Sequence, residues 1–252
     1  GQLSPEDKET IITPELVNKL LNKIFFVPNL NWPQITNWFG SNVESKHVMV
    51  YFEDSKIFSY LLAEGFSGSI PRPSKDQSDL LSIFETAVGE EKSNINLDRR
   101  LNLATKIDSQ GNISHSLKVG YINANGLNLS NKVRMRIYLP AGSKILKASF
   151  GETDLMKNSE SSIEYGRLLY SFVFEILPKE QKSLIFEYLV PFKLNLSADK
   201  LNYRLDIIKQ PGTASEPLEW RIAYPESLKT SSQTNIITDL SKDRSYVTEF
   251  EK

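Results

Sequence analysis

From about Leu97 to the C-terminus, apolar side chains recur at every second position in one segment after another, a period that belongs to strands and not to helices. Leu97, Leu101, Leu103 and Ile107 share one parity, and Ile113, Leu117, Val119 and Tyr121 share one after a turn at Asp108-Ser109-Gln110-Gly111. That pair reads as a hairpin with glycine at the left-handed position. The pattern repeats in Val133/Met135/Ile137/Leu139, Leu168/Tyr170/Phe172/Phe174/Ile176, Leu184/Phe186/Tyr188/Val190, Leu201/Tyr203/Leu205/Ile207 and Leu218/Trp220/Ile222/Tyr224. Gln210-Pro211-Gly212 puts proline and glycine at the centre of a type II turn between two of these segments. One packed and one solvated face per strand predicts an antiparallel, immunoglobulin-like β-sandwich over residues 91–252. Asn235-Ile236-Ile237-Thr238 and Tyr246-Val247-Thr248-Glu249-Phe250, across Lys242-Asp243, predict an edge hairpin.

The first ninety residues have another character. They hold 7 Lys/Arg and 12 Asp/Glu, against 23 and 19 in residues 91–252, within a chain of formal net charge -1. Residues 1–12 read as a disordered lead or tag remnant, without the charged and apolar regions of a signal peptide. Thr13-Pro14-Glu15 opens an amphipathic helix carrying Leu16, Val17, Leu20, Leu21 and Ile24. Trp32-Pro33-Gln34 to Phe39-Gly40 predicts a short second helix stopped by its glycine. His47-Val48-Met49-Val50-Tyr51-Phe52 has the length and composition of a strand, and Asp54 caps a helix carrying Ile57, Phe58, Leu61 and Leu62, closed by Gly65. After a Ser/Pro-rich loop, residues 79–84 predict another strand. The expected class is therefore α+β: a small α/β segment, residues 13–90, followed by the β-sandwich domain.

Chemically the chain is sparse. With no cysteine and two histidines, it has no disulfide, no thiol nucleophile and no Cys-ligated zinc. A near-zero net charge provides no field for nucleic acid or an anionic membrane. Neither a Gly-x-Ser-x-Gly elbow nor a Gly-x-x-x-x-Gly-Lys loop occurs, which speaks against acyl transfer and NTP hydrolysis.

Five stretches in order carry a resemblance: Lys46-His47-Val48-Met49-Val50-Tyr51-Phe52-Glu53-Asp54, Leu62-Ala63-Glu64-Gly65-Phe66-Ser67-Gly68, Glu91-Lys92-Ser93-Asn94-Ile95-Asn96, Arg134-Met135-Arg136-Ile137-Tyr138-Leu139-Pro140-Ala141-Gly142-Ser143 and Ile208-Lys209-Gln210-Pro211-Gly212-Thr213. Together they resemble the uncharacterised bacterial envelope proteins grouped as domain-of-unknown-function family 4012. The resemblance implies a location outside the cytoplasm, as the C-terminal part of the soluble region of a membrane-anchored protein whose N-terminal anchor lies upstream of this chain. It implies no reaction. Where relatives read Asn-Leu-Gly before the Lys-Ser-Asn stretch, this chain has Thr86-Ala87-Val88-Gly89.

Each candidate for chemistry has a structural reading beside it. His115 lies on the apolar parity of its segment, where an imidazole serves as base, ligand or core residue, the last being commonest. His47 with Glu44 and Asp54 lacks metal-ligand spacing. Asp76 and Asp79, on the Ser/Pro-rich loop, could pair as the two carboxylates of a glycosidase or simply cap that loop. Asp108 with Gly111 has only part of a calcium loop and reads as a turn. Arg99 sits on the apolar parity between Leu97 and Leu101, which marks a strand end, a bulge or a buried ion pair. Arg100, Arg134, Arg136, Arg204 and Arg221 fall on polar parities; on neighbouring strands they would form a guanidinium surface for phosphate or acidic glycan, and otherwise cross-strand ion pairs. Asparagines around Asn94-Asn96 and Asn123-Asn131 read as turns or as part of a carbohydrate platform.

The expected function is an extracytoplasmic binding or scaffolding module of a bacterial envelope protein, with Arg100, Arg134, Arg136, Arg204 and Arg221 as candidate ligand contacts. Its partner would be an envelope glycan or another envelope protein, with no nucleic acid, metal or cofactor implied. The alternative is an enzyme of envelope polysaccharide metabolism acting through Asp, Glu and Arg.

Overall fold

The structure, a computed structural model, describes Glu15, Asn18, Lys19 and Asn22 together with residues 31–73, 78–88, 97–124 and 129–252. The chain divides into two compact units, residues 1–41 and 42–252. In the first, Glu15, Asn18, Lys19 and Asn22 are helical, with Lys19 Nζ 3.5 Å from Glu15 one turn back; the apolar positions expected on that helix lie outside the described residues. Helix α1 (Trp32–Glu44) begins there and runs past Gly40, so glycine does not end it. The stop comes later, in a Schellman motif: His47 N–H donates to Asn42 O and Lys46 N–H to Val43 O, with Lys46 itself at φ 57°. A non-glycine residue at that left-handed position costs roughly 1–2 kcal/mol, and the Lys46 side chain has a use described below.

Helix α2 (Ser55–Ala63) forms as its cap predicts, Asp54 Oδ1 accepting from Lys56 and Ile57 N–H. It closes at Gly65, φ 75°, with Phe66 N–H on Leu61 O. The preceding run His47–Phe52 is not a strand: its one ladder-like bond is Val50 N–H to Phe66 O. Composition favours a strand there, but the run joins neither sheet.

Among the described residues thirteen strands follow: β1 (Asp79–Ala87), β2 (Leu97–Ile107), β3 (Asn112–Asn123), β4 (Asn131–Pro140), β5 (Lys144–Phe150), β6 (Thr153–Asp154), β7 (Glu160–Glu164), β8 (Arg167–Ile176), β9 (Gln181–Lys193), β10 (Lys200–Ile208), β11 (Pro217–Ala223), β12 (Asn235–Asp239) and β13 (Arg244–Glu251). They build a six-stranded sheet in the order β13-β10-β1-β4-β8-β7 and a seven-stranded sheet in the order β12-β11-β2-β3-β9-β5-β6. Inner-face residues of both sheets share one core.

This overturns the expected fold class. Both sheets are mixed, because β1 runs parallel to β10 and β2 parallel to β11, whereas an antiparallel immunoglobulin-like sandwich has neither pairing. The chain passes from β1 to β2 and from β10 to β11, each time from the six-stranded to the seven-stranded sheet, and the strands on either side of these passages pair in parallel. Nor is there a separate small α/β segment, since β1 is inserted between β10 and β4. The expected edge hairpin is absent as well, because β12 pairs with β11 and β13 with β10, in different sheets. Strands β5, β6 and β7 escaped the periodicity; in β5 a register shift between Ile145 and Lys147 breaks the alternation.

The β2–β3 hairpin is as expected. Asp108 Oδ1 accepts from Gln110 and Asn112 N–H, while Asn112 Nδ2 donates to Oδ2 and lowers the Asp108 pKa. Gly111 at φ 79° donates its N–H to Asp108 O and accepts from Leu194 N–H, just after β9, and a Cβ there would stand 2.2 Å from Leu194 O. Gly111→Ala is expected to destabilise the protein by at least about 1 kcal/mol from the backbone conformation alone, with the clash adding to it, read as a lower urea midpoint at unchanged m-value.

Candidate functional site

The inner face of β1 reads Asp79, Leu81, Ile83, Glu85, an acid at each end of an apolar pair. Asp79 is fully buried and Leu81 and Ile83 belong to the shared core. The facing sheet supplies a polar partner at each end. At the first, Trp220 Nε1–H donates to Thr105 Oγ1 (2.8 Å), Thr105 meets His115 Nδ1 (3.0 Å), and His115 Nε2 meets Asp79 Oδ2 (2.6 Å). Tyr203 O–H donates to the same carboxylate oxygen (2.7 Å), and Leu80 N–H to the other (2.8 Å). The indole only donates, so Thr105 Oγ1 accepts from it. Tyr188 stacks on the imidazole at 4.7 Å. Every residue of this relay is at most 2 % exposed.

At the second end Arg99 is the hub. Its guanidinium bonds Glu85 (2.7 Å) and Glu216, and Tyr121 O–H donates to Glu85. Burial alone would lower the Arg99 pKa, but the Glu85 and Glu216 carboxylates outweigh it and raise it. The Tyr121 phenol is pushed well up, first by burial and then by Glu85. Arg99 Nε and Nη1 have no hydrogen-bond partner, so Nη1 holds Glu85 as an ion pair without a directed hydrogen bond. Of the sequence readings, the buried ion pair is the correct one for Arg99, and His115 is a core residue. Asp79 is no loop cap: it is an interior acceptor, and Asp76, its proposed mate, lies outside the described residues.

A third polar group fastens the connections at this end. Lys46 Nζ bonds Asp243 Oδ1 (2.8 Å), which also accepts Lys209 N–H, while Gly212 N–H donates to Lys46 O. Lys209 Nζ donates to Gln210 O, Thr213 O and Thr213 Oγ1; burial lowers its pKa, with Glu216 acting against that. The Gln210 amide bonds both N–H and C=O of Glu85, extending the parallel β10–β1 ladder by one side chain. Two stretches of the sequence resemblance, around Lys46 and around Lys209 to Thr213, thus meet here.

The five candidate arginines are placed separately. Arg134 and Arg136 are neighbours on the outer face of β4, Arg134 lying 3.8 Å from Glu160. Arg204, on β10, is held by Asp206 of its own strand (3.1 Å). Arg100 and Arg221 belong to β2 and β11 of the other sheet, and Arg221 pairs with Glu219. Because the inner faces of the two sheets share a core, these two look away from the other three. Only Arg134 and Arg136 are brought together. Tyr138, beside them on β4, donates to Glu164 (2.9 Å), and its pKa is pushed up to about 12 by burial and that bond. No group of His, Asp and Glu among the described residues has metal-site geometry.

What the surface does gather is apolar. Met49, Tyr51, Phe52, Ile57 and Tyr60 are all exposed, Tyr51 most at 72 %, and the Tyr51 and Phe58 rings meet edge to face at 5.2 Å. No residue of α2 is buried. Yet the stretch is anchored at both ends, by Lys46 on Asp243 and by Ile70. The latter packs with Leu80, Tyr138, Leu169 and Ile208 on the outer face of the six-stranded sheet.

No family model matches the chain, and no curated protein matches it. Solved structures with partial likeness include a candidate nutrient binding protein of Legionella pneumophila, 12 % identical over 69 % of this chain and 71 % of that one, TM-score 0.37. An M1 zinc metallopeptidase from Deinococcus radiodurans is 12 % identical over 63 % and 39 % at 0.31. Yeast LTA4 hydrolase is 7 % identical over 72 % and 31 % at 0.33. The chain spans well under half of either peptidase or hydrolase, and likeness this slight carries no function across.

Two outcomes follow from the buried groups. Arg99→Met leaves the largely covered Glu85 and Glu216 side chains, 9 % and 14 % exposed, without their cation and is expected to cost about 3 kcal/mol in urea unfolding; adding Glu85→Gln and Glu216→Gln should recover most of it. Tyr121, Tyr188 and Tyr203 have pKa values raised well above the ordinary phenol by burial. Above about pH 10 the unfolded chain therefore binds fewer protons than the folded one, and stability falls as pH rises. Tyrosinate absorbance should show these three ionising only together with unfolding.

Proposed function

We propose that this chain is a binding or scaffolding module of the bacterial cell envelope, displayed outside the cytoplasm as part of a membrane-anchored protein. The observation that supports it most is the exposed apolar stretch Met49, Tyr51, Phe52, Ile57 and Tyr60 on a segment fixed at both ends. Apolar side chains gathered on one anchored segment, with none of the adjacent helix buried, mark an interaction surface. Tyrosine and phenylalanine offer flat faces to a sugar ring or to another protein at little entropic cost. The envelope location is supported by the family resemblance, in which this same stretch takes part. Among the described residues no helix is long and apolar enough to cross a membrane.

The internal chemistry points the same way. Asp79, His115 and Arg99 cross-link the two sheets, with the Asp79 and His115 side chains at 0 % exposure and Arg99 at 5 %.

The test is pelleting of the purified chain with isolated cell wall and with envelope membrane vesicles. Tyr51→Ser/Phe52→Ser/Tyr60→Ser is expected to weaken binding at least about tenfold, with the urea midpoint unchanged because these side chains are exposed. Binding that ignores this variant but disappears with Arg134→Ala/Arg136→Ala and at high salt would move the site to the β4 arginines. Absence of binding to either material, or turnover of an envelope glycan, would overturn the proposal.

A further inference from the structure

A sheet edge offers unpaired backbone groups, and natural proteins blunt such edges. Three of the four edges here are blunted. On β13, Glu251 exchanges N–H···O bonds with Lys229 (2.7 and 2.8 Å), Thr230 Oγ1 donates to Glu249 O, and Glu249 N–H donates to Ser232 Oγ. Strand β7 carries Glu160 and Glu164 at its two ends, and β6 has only two residues. Strand β12 is the least protected: it is five residues long with a single acid, Asp239, at one end, and among the described residues no other segment covers its outer side. Its sequence is Asn-Ile-Ile-Thr-Asp, with no proline and no lysine, and it forms the outer edge of the seven-stranded sheet.

The register shows which groups are open. Ile222 N–H donates to Thr234 O and Leu240 N–H to Glu216 O. With Leu218 opposite Thr238 and Trp220 opposite Ile236, the even residues of β12 therefore bond inward to β11. The N–H and C=O groups of Asn235, Ile237 and Asp239 face the other way. Arg244 Nε–H donates to Asp239 O; among the described residues nothing pairs with the backbone of Asn235 or Ile237. Ile237 is also 78 % exposed, more than any other large apolar side chain described, while its neighbour Ile236 packs on the core.

We propose that β12 is the seat of a second copy of this chain, the two β12 strands pairing antiparallel about a two-fold axis at Ile237 and joining the seven-stranded sheets into one. The strand complements itself in that register. Ile237 meets the partner's Ile237, exchanging both backbone bonds and covering the exposed side chain. Asn235 falls opposite the partner's Asp239, an amide donor against a carboxylate, and the reverse pair repeats it. Asp239 is already matched by Arg244 (2.7 Å), so the two acids do not repel across the axis. A register centred on Asp239 would set acid against acid and open fewer bonds. Two-fold pairing also closes on itself, leaving no further edge of this kind exposed.

The absence of cysteine makes the test clean. In sedimentation velocity over a wide concentration range the wild-type chain should show a monomer–dimer equilibrium. Ile237→Pro removes only an outward-facing N–H and leaves the β11 ladder intact. It should weaken the dimer at least about tenfold through lost hydrogen bonds at an unchanged urea midpoint, and Ile237→Lys should do the same. Ile237→Cys, the only thiol in the chain, should cross-link to a covalent dimer with a short bismaleimide. A wild-type chain that stays monomeric throughout, or a dimer that survives both Ile237→Pro and Ile237→Lys, overturns the proposal. A monomer that instead gains an ordered strand from an added extended peptide would assign the edge to peptide capture and overturn it equally. None of these outcomes depends on the apolar stretch at residues 49–60.

Discussion

The fold depends on two acids buried at the ends of one strand face. Asp79 and Glu85 stand six residues apart on β1, roughly 20 Å at strand rise. The facing sheet answers with the same spacing twice over: Thr105 and Arg99 on β2, His115 and Tyr121 on β3, paired Thr105 to His115 and Arg99 to Tyr121. An unpartnered carboxylate in such a position would cost several kcal/mol. A slip of β1 by one residue would turn both acids to the other face and bring Leu80 and Phe84 inward. The polar cross-links thus select the register of β1, and through it the way the two sheets face each other. The apolar core between them supplies area without direction; its Leu, Ile, Val and Phe positions would tolerate several arrangements.

That arrangement explains the parallel pairs. Strand β1 must face β2 and β3 to place its acids, and it also packs on its other face, where Leu80 joins Ile70, Tyr138, Leu169 and Ile208. A strand covered on both faces is a central strand, and here β10 takes the open side of β1 in the parallel sense. Gln210 then holds Glu85 by its backbone while Lys209 and Lys46 converge on Asp243. The crossing from β10 to β11, the end of β1 and the loop before β13 are tied into one polar knot. Lys46 keeps a strained backbone conformation there because glycine, which would relieve it, has no ammonium to offer Asp243.

The same physics decides what was legible in the sequence. Strands with one solvated face announced themselves by period: β2, β3, β4, β8, β9, β10 and β11 all lie where the alternation puts them. So did the anomalies on the inward parity of single-faced strands, Arg99 and His115, because a polar residue among Leu and Ile at period two stands out. Glu85 was hidden by the double burial of β1, where Leu80 and Phe84 are as apolar as Leu81 and Ile83 and no parity exists to violate. Glu216, Lys209 and Asp243 sit in connections, where no period applies. Pairing was the least legible level. Whether β12 joins β13 or β11 is a choice between two sheets, and the local signal of two short β-branched runs around a turn is the same in both cases. His47–Phe52 shows the converse: a run with every local mark of a strand that pairs with none.

The charged groups inside the core pair with one another across the two sheets. The structure presents two surfaces of opposite kinds. Met49, Tyr51, Phe52, Ile57 and Tyr60 present apolar side chains, which a partner would meet through side-chain area and shape. Strand β12 is the reverse, a row of unsatisfied backbone groups with one apolar side chain at its centre. A partner there must itself be a strand, and its register is dictated before any side chain is read. The first kind of surface accepts flat or rounded partners of varied sequence, and the second accepts one geometry. A module that carries both can hold a fixed relation to its own copies through the edge while the apolar stretch engages a chemically different neighbour. The two occupy different parts of the chain, with the stretch tied to the outer face of the six-stranded sheet through Ile70 and the edge belonging to the seven-stranded one, so occupation of either leaves the backbone and side chains of the other in place.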